Sequence, residues 1–424
     1  MTRASINDGA PAGEALPDAS DHIAPVPRIS IQAFCESADL AAVIQNAAGD
    51  RRMSKAQVKV NMGGAPAAVE AYRSAPTPNL ILVEFGLDHS DLLGHLDQLA
   101  QSCDAGTKVV VAGRVNDIVL YRDLIARGIS DYLIGAPSVV DFIRSVSKLY
   151  SAPGADPLGR VISVVGAKGG VGSSTIAHNI AWSIARNLEI ATVIADLDLG
   201  FGTAGLDFNQ DPPQGVAEAV FAPERLDANL VDRLLSKCSE NLNLLAAPAT
   251  LERVYDFGET AFDPVIDIVR AGTPAIVLDL PHVWTGWSRR MMIAADDVLI
   301  VAAPDLANLR NVKNMLDEMK KARSHDARPK LILNGVGLPK RPEISVADFA
   351  KAVELEPVAV IAHDAKLFGT AANNGQMIAE VEAAHKIAAT IDELARAIVG
   401  RAEARKAKRN MFEPLLARLQ RKKA

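Results

Sequence analysis

The run Gly166-Ala-Lys-Gly-Gly-Val-Gly-Ser-Ser-Thr175 gathers four glycines, a lysine and three hydroxyl side chains into ten residues. It lies between an apolar, β-branched stretch, Val161 to Val165, and a helix-period segment, Thr175 to Ala185. Strand, glycine loop and helix in that order point backbone N–H groups at a phosphate chain, and the helix N-terminus adds its positive dipole end. The textual phosphate-loop pattern ends Gly-Lys-[Ser/Thr]. Here Ser173 stands in place of that lysine, and another lysine, Lys168, stands five residues earlier. Four loop glycines in this context weigh against a turn that binds nothing.

Two further apolar runs end in carboxylates. Ile190–Ala195 leads into Asp196-Leu-Asp198-Leu-Gly200, and Ala275–Leu278 into Asp279-Leu-Pro281. A carboxylate at the end of a buried strand beside a phosphate loop can hold Mg²⁺ through water, and one two residues on can orient an attacking water. The other reading is that these Asp residues cap the helices that follow. Trp284 and Trp287 come directly after Asp279, either as a partner-facing anchor or as packing of the next helix. His178, His282 and His363 have no second ligand at metal spacing and read as surface or capping residues.

Positioning such a site takes alternating strands and helices. Strands are predicted at 161–165, 191–196, 242–246, 275–280, 297–302, 330–334 and 357–361. Their near-continuous apolar character means burial on both faces, hence a parallel sheet. Upstream, shorter strands at 29–34, 57–61, 80–84, 108–112 and 131–134 alternate with helical segments as in a small doubly wound domain. The expected organisation is a disordered segment 1–27 with four prolines, a domain 28–150, a linker 151–158, a larger α/β domain 159–400 and a basic tail 401–424. From Met377 to Arg409 the pattern is helical.

Composition narrows the class. The chain has 424 residues, 49% hydrophobic but only 4% aromatic, and a net charge of −6, which argues against generic nucleic-acid affinity. Cys35, Cys103 and Cys238 lack metal spacing and suit a reducing, cytosolic setting. No apolar run is long enough to span a bilayer. Residues 401–424 carry nine Lys/Arg against two Glu, so the tail is +7 and the remainder −13.

Taken together, the region from 159 onward resembles the MinD/ParA class of dimerising ATPases, whose deviant phosphate loop reads Lys-Gly-Gly-x-Gly-Lys-[Ser/Thr]. Within that class GAKGGVGSSTIAHNIAW is similar to the CpaE/TadZ proteins of tight-adherence pilus assembly. The resemblance implies ATP and Mg²⁺ as ligands. It makes Lys168 the signature lysine that crosses a dimer interface to the partner's nucleotide. Gly169, Gly170, Val171, Gly172 and Ser173 become the phosphate cradle, Ser174 the Mg²⁺-ligating hydroxyl and Thr175 the hydroxyl on the α-phosphate. Asp198 matches the first-switch aspartate that positions water, Asp279 the second-switch carboxylate at the metal, and Asn334 the adenine-reading asparagine. Ser173 departs from the pattern. Exchanging an ammonium for a hydroxyl loses about 1.5–3 kcal/mol, roughly ten- to a hundredfold in rate if felt wholly in the transition state. The expectation is ATP binding with slow hydrolysis.

Residues 28–150 resemble a response-regulator receiver through Pro78-Asn-Leu-Ile-Leu-Val-Glu84 and Gly128-Ile-Ser-Asp-Tyr-Leu-Ile-Gly135-Ala-Pro137. A receiver would have its phosphoacceptor Asp at Glu84 and a lysine at Gly135, and the acidic pair after the first strand is missing too. An unphosphorylated docking or dimerisation domain is implied. In the tail, Leu415, Leu416 and Leu419 share one helical face opposite Arg418, Arg421, Lys422 and Lys423. This is either an interfacial or groove-binding helix, as on a membrane surface, or a solvated charge run.

The fold class expected is therefore α/β, a receiver-like, flavodoxin-like domain followed by a MinD/ParA-like P-loop domain with a mainly parallel sheet. The function implied by resemblance is a cytoplasmic homodimeric ATP switch that localises or organises type IVb (Flp/Tad) pilus assembly, polar and peripherally membrane-associated, partnering with a secretion motor ATPase and pilus assembly proteins. The alternative is a ParA/MinD-like positioning ATPase for DNA partitioning or division-site selection. No specific nucleic-acid partner is expected.

Overall fold

The structure, a computed structural model, describes residues 23–399 apart from 74, 87, 88, 105, 136 and 152–157. The basic tail 401–424, segment 1–22 and most of the linker 151–158 lie outside the described residues. Five strands, β1 (Ser30–Cys35), β2 (Gln57–Met62), β3 (Leu80–Phe85), β4 (Lys108–Gly113) and β5 (Asp131–Ile134), pair in parallel in the order β2-β1-β3-β4-β5. That is the flavodoxin-like doubly wound order. The central β3, Leu-Ile-Leu-Val-Glu-Phe, is buried at every position, as a strand covered on both faces must be.

A second sheet contains β6 (Arg160–Gly166), β7 (Thr192–Asp196), β8 (Leu235–Lys237), β9 (Leu242–Leu245), β10 (Ala275–Leu280), β11 (Asp297–Ala302), β12 (Lys330–Val336) and β13 (Pro357–Ala362). The order is β13-β12-β11-β6-β10-β7-β9-β8, and all pairs are parallel except β8 with β9. Successive side chains leave opposite faces of a strand. Val161, Val165, Ile276, Leu278 and Ile300 accordingly pack into one core, and Ile162, Val164, Val277, Leu299 and Val301 into the other. The helix Ser173–Asn187 lies on the second face and is covered by the helix Lys386–Val399.

Three details differ from the sequence reading. Residues 23–27 were included in the disordered segment, yet Ile23 and Val26 are buried against the first sheet and the Val26 amide donates to Arg52 O at 2.7 Å. Proline content hid two apolar anchors there. The helical run from Met377 is split into Ile378–Val381 and Lys386–Val399 by a turn. The short antiparallel β8 has no apolar run to announce it.

Where a receiver would carry its phosphoacceptor, Glu84 is spent on structure. One carboxylate oxygen accepts from the Glu36 and Ser37 amides at 2.7 and 2.8 Å, and the other accepts from the Ser37 hydroxyl at 2.6 Å. Ser37 is itself the N-cap of the helix Ala38–Ala48.

The two sheets are joined by buried charge. The Arg51 guanidinium grips Asp326 with two hydrogen bonds, at 2.8 and 3.2 Å, and donates to Ala294 O at 3.0 Å and to Asp296 at 3.4 Å. Asp296 is also held by Arg270 at 2.6 Å. Arg51 follows the first-sheet helix, while Ala294 ends the helix Gly286–Ala294 next to β10.

Candidate functional site

Sheet order brings the predicted site residues together. β6 lies between β11 and β10, and β10 between β6 and β7, so the strand ends at Gly166, Asp279 and Asp196 are neighbours. Asp279 and Asp196 stand opposite each other in register. The loop leaves β6 through Gly166, with Gly170 at φ +78° and Gly172 at φ +83°, and Gly172 is the N-cap of Ser173–Asn187. Lys168, Gly169 and Gly170 are exposed, whereas Ser173, Ser174 and Thr175 on the first helical turn are half-buried.

Two asparagines stitch the loop from behind. Asn334, on β12, donates to Val171 O at 2.8 Å, and its Oδ1 is buried without a hydrogen-bond partner. Asn311 donates to Ala167 O at 2.8 Å. The sequence reading missed Asn311. Its signal was the recurrence Asn308, Asn311, Asn314 along one face of the helix Leu306–Ala322. A cavity of about 440 Å³ opens between this helix and the segment after β10, lined by Gly166, Ala167, His282, Trp284, Met292 and Asn311 among others.

The tryptophan pair divides. Trp287 is buried against Phe262, ring centroids 4.6 Å apart, while Trp284 is 49% exposed. Asp198 accepts from the Phe201 amide at 3.2 Å, and its own amide is tied to Asp196 at 3.1 Å. Asp196 also accepts from the Ala204 amide at 3.0 Å. The capping reading therefore describes part of what Asp196 does. Asp279 is different: it is buried, and both carboxylate oxygens lack a hydrogen bond. A buried carboxylate whose oxygens accept no hydrogen bond, close to a strand end and beside a glycine loop, fits a hard divalent cation such as Mg²⁺, which takes oxygen ligands.

His178 corrects the sequence reading. It is neither at the surface nor a cap but fully buried, with Nδ1 2.7 Å from Asp207 Oδ2 and Nε2 3.3 Å from Asp279 Oδ2. Ligand atoms of His178, Asp196 and Asp279 lie within 4.8 Å of one another. Asp207 is far away in sequence, which hid the pairing. The periodicity did carry a hint, since His178 shares a helix face with the buried Ala181 and Ala185. His282 lies beside Gly169, so that a β-carbon there would sit 3.1 Å from its ring.

Burial alone would depress the His178 imidazole, but the Asp207 and Asp279 carboxylates outweigh it and lift its pKa to about 10. Burial, reinforced by the Asp279 charge, raises the Asp196 carboxyl to about 7. Burial also raises Asp198, with Asp279 adding to the effect. A folded-state pKa above the unfolded one means that the native state holds the proton more tightly. Stability from the His178 imidazolium is therefore complete below the unfolded value of 6.5 and lost as pH climbs towards about 10. Asp196 acts in the same direction between 3.8 and about 7. Urea midpoints of the metal-free protein are expected to fall from pH 6.5 to 10, and His178→Gln is expected to flatten that slope.

The family model described as AAA domain matches residues 159–333, which contain the loop together with Asp196, Asp198 and Asp279. A ParA family ATPase of Chlorobium tepidum TLS is 25% identical, covering 56% of this chain and 98% of its own, with a TM-score of 0.51. The septum site-determining protein MinD of Pyrococcus horikoshii OT3, complexed with Mg-ADP, shares the fold at 20% identity, covering 57% of this chain and 96% of its own, with a TM-score of 0.51. Fold and glycine loop together define a P-loop ATPase of the MinD/ParA type. The pilus assembly protein CpaE of Caulobacter crescentus CB15 is 49% identical over 31% of this chain and 99% of its own. The TM-score there is 0.30, so identity carries the comparison. The chain belongs to the CpaE-type proteins of this ATPase class. Among the described residues no helix is long and apolar enough to cross a membrane.

Proposed function

We propose that this chain is an ATP-binding, slowly hydrolysing dimeric switch that localises or organises type IVb (Flp/Tad) pilus assembly. The observation that carries the nucleotide part is the buried Asp279 carboxylate, whose oxygens accept no hydrogen bond and which faces His178 at 3.3 Å, beside a glycine loop with two left-handed glycines. The Mg-ADP bound by the Pyrococcus relative supports the same ligand class, and the identity to CpaE supports the pilus assignment. In this reading Gly169 to Ser173 cradle the phosphates. Ser174 and Asp279 hold Mg²⁺, which supplies charge neutralisation when bound, and Thr175 meets the α-phosphate. Asp198 orients water, and the free Oδ1 of Asn334 accepts from the adenine amine. Lys168, exposed on the loop, reaches a second copy of the chain.

The domain division at 28–150 and 159–400 assigns nucleotide work to the second part and docking to the first. The partners in this proposal are a secretion motor ATPase and other pilus assembly proteins, with the basic tail on an anionic membrane surface at a cell pole. Calorimetry with ATP and Mg²⁺ tests the core of it: absence of saturable binding sinks the reading. Hydrolysis by the native chain is expected to be slow, and Ser173→Lys is expected to raise steady-state turnover roughly ten- to a hundredfold. Unchanged turnover in that variant would remove Ser173 as the cause. The ParA relative keeps a second reading open, a positioning ATPase for DNA or the division site. A gel shift with plain duplex DNA separates the two, and the acidic body of the chain predicts no shift.

A further inference from the structure

We infer that His178 is a positioning residue that couples the two switch segments of the site, passing a change at Asp279 to residues 198–208. The inference rests on the nucleotide reading above. His178 has no exposure to solvent, and its two ring nitrogens face two carboxylates on different segments. Asp279 is the last residue but one of β10, which leads into Pro281–Trp287. Asp207 ends the short helix Ala204–Asp207, and the Phe208 ring packs 5.6 Å from the imidazole. The front of the same segment is tied to the second strand-end carboxylate, because Asp196 accepts from the Asp198 and Ala204 amides. Residues 198–208 are therefore held at one end by Asp196 and at the other by His178.

The two sides of the imidazole are not equal. The Asp207 side is a 2.7 Å hydrogen bond. The Asp279 side is a 3.3 Å approach, and both Asp279 oxygens are without a hydrogen bond. A ligand that draws on the Asp279 carboxylate thus acts on the weaker contact, while Asp207 keeps its grip on the ring. Any shift of the ring moves the carboxylate at its other end. The ring is fully buried and Asp207 half-buried, so solvent meets this pair only on its Asp207 side.

The test uses the full chain and Mg-AMP-PNP, with hydrogen exchange followed by mass spectrometry. In the native protein, nucleotide is expected to change exchange in both 281–287 and 198–208. In His178→Gln the response of 281–287 is expected to persist while that of 198–208 falls about fivefold or more. Asp207→Asn, which keeps the side-chain volume, is expected to decouple the segments in the same way, and it decides the matter if the first variant does not fold. A purely structural role would alter exchange in both segments without changing how they follow one another. If calorimetry shows that the native chain does not bind Mg-AMP-PNP, the nucleotide reading fails and takes this inference with it. If it binds and both variants still show joint responses, His178 is not the coupler and only this inference is overturned.

Discussion

Gly172→Val is expected to lower affinity for Mg-ATP by about a hundredfold and to cost the fold about 2–3 kcal/mol. The backbone at Gly172 has φ +83°, where a β-branched residue is an outlier, and the left-handed conformation costs about 1–2 kcal/mol for an L side chain. Space is lacking as well. A β-carbon would sit 2.6 Å from Asn334 Nδ2, the atom that donates to Val171 O. Accommodating valine means expelling that amide, which loses about 1 kcal/mol of hydrogen bonding and the fixed shape of the loop. Gly170 is the control. It also has positive φ, at +78°, but nothing lies within 4 Å of a β-carbon there. Gly170→Ala should cost about 1 kcal/mol and less than about a tenfold loss of affinity. Equal effects at the two glycines in titrations with a fluorescent ATP analogue would show that the Asn334 contact does not shape the cradle.

Arg51→Ala is expected to destabilise the protein by about 3 kcal/mol, because it leaves carboxylates buried with fewer counter-charges. The Arg51 and Asp326 side chains are each 9% exposed, and Arg51 reaches Ala294 O and Asp296 as well. The estimate sits at the low end for a broken buried pair because Arg52 and Arg323 stay within 3.6 and 3.4 Å of Asp326. Removing Arg51 also brings relief, since burial and the Arg51 charge beside it hold Arg323 down to about 10. Arg51→Lys keeps a cation but not the two-pronged grip, and should recover about half of the loss. Urea denaturation followed by fluorescence reads the outcome. The variant should show a lower midpoint, with the two sheets losing structure at separate concentrations. An unchanged single transition would mean that the joint contributes nothing to holding the sheets together.

Most strands were legible because burial on both faces leaves an apolar run, but Pro357–Ala362 is apolar without that burial, since its Val358 and Val360 are each 43% exposed. Ala275–Leu280 and Asp297–Ala302 have the bounds expected for them. β8 was not legible, since Leu-Ser-Lys, two half-buried residues and an exposed one, carries no such run. The glycine loop announced itself because its chemistry is local, from Gly166 to Thr175. His178 did not, because its meaning depends on Asp207 and Asp279, brought to it only by the fold. The joint at Arg51 was invisible for the same reason, its partner Asp326 being 275 positions away. Asn334 was singled out as a base reader, but the bond from its amide to the loop could not be seen before β12 was placed next to β11.

The carboxylate of Glu84 is fully engaged with the Glu36 and Ser37 amides and the Ser37 hydroxyl. A glutamate held this way offers no free carboxylate at the position where a receiver would be phosphorylated. On the docking reading proposed above, the duration of its signal would be set by how fast a contact dissociates rather than by the lifetime of an acyl phosphate.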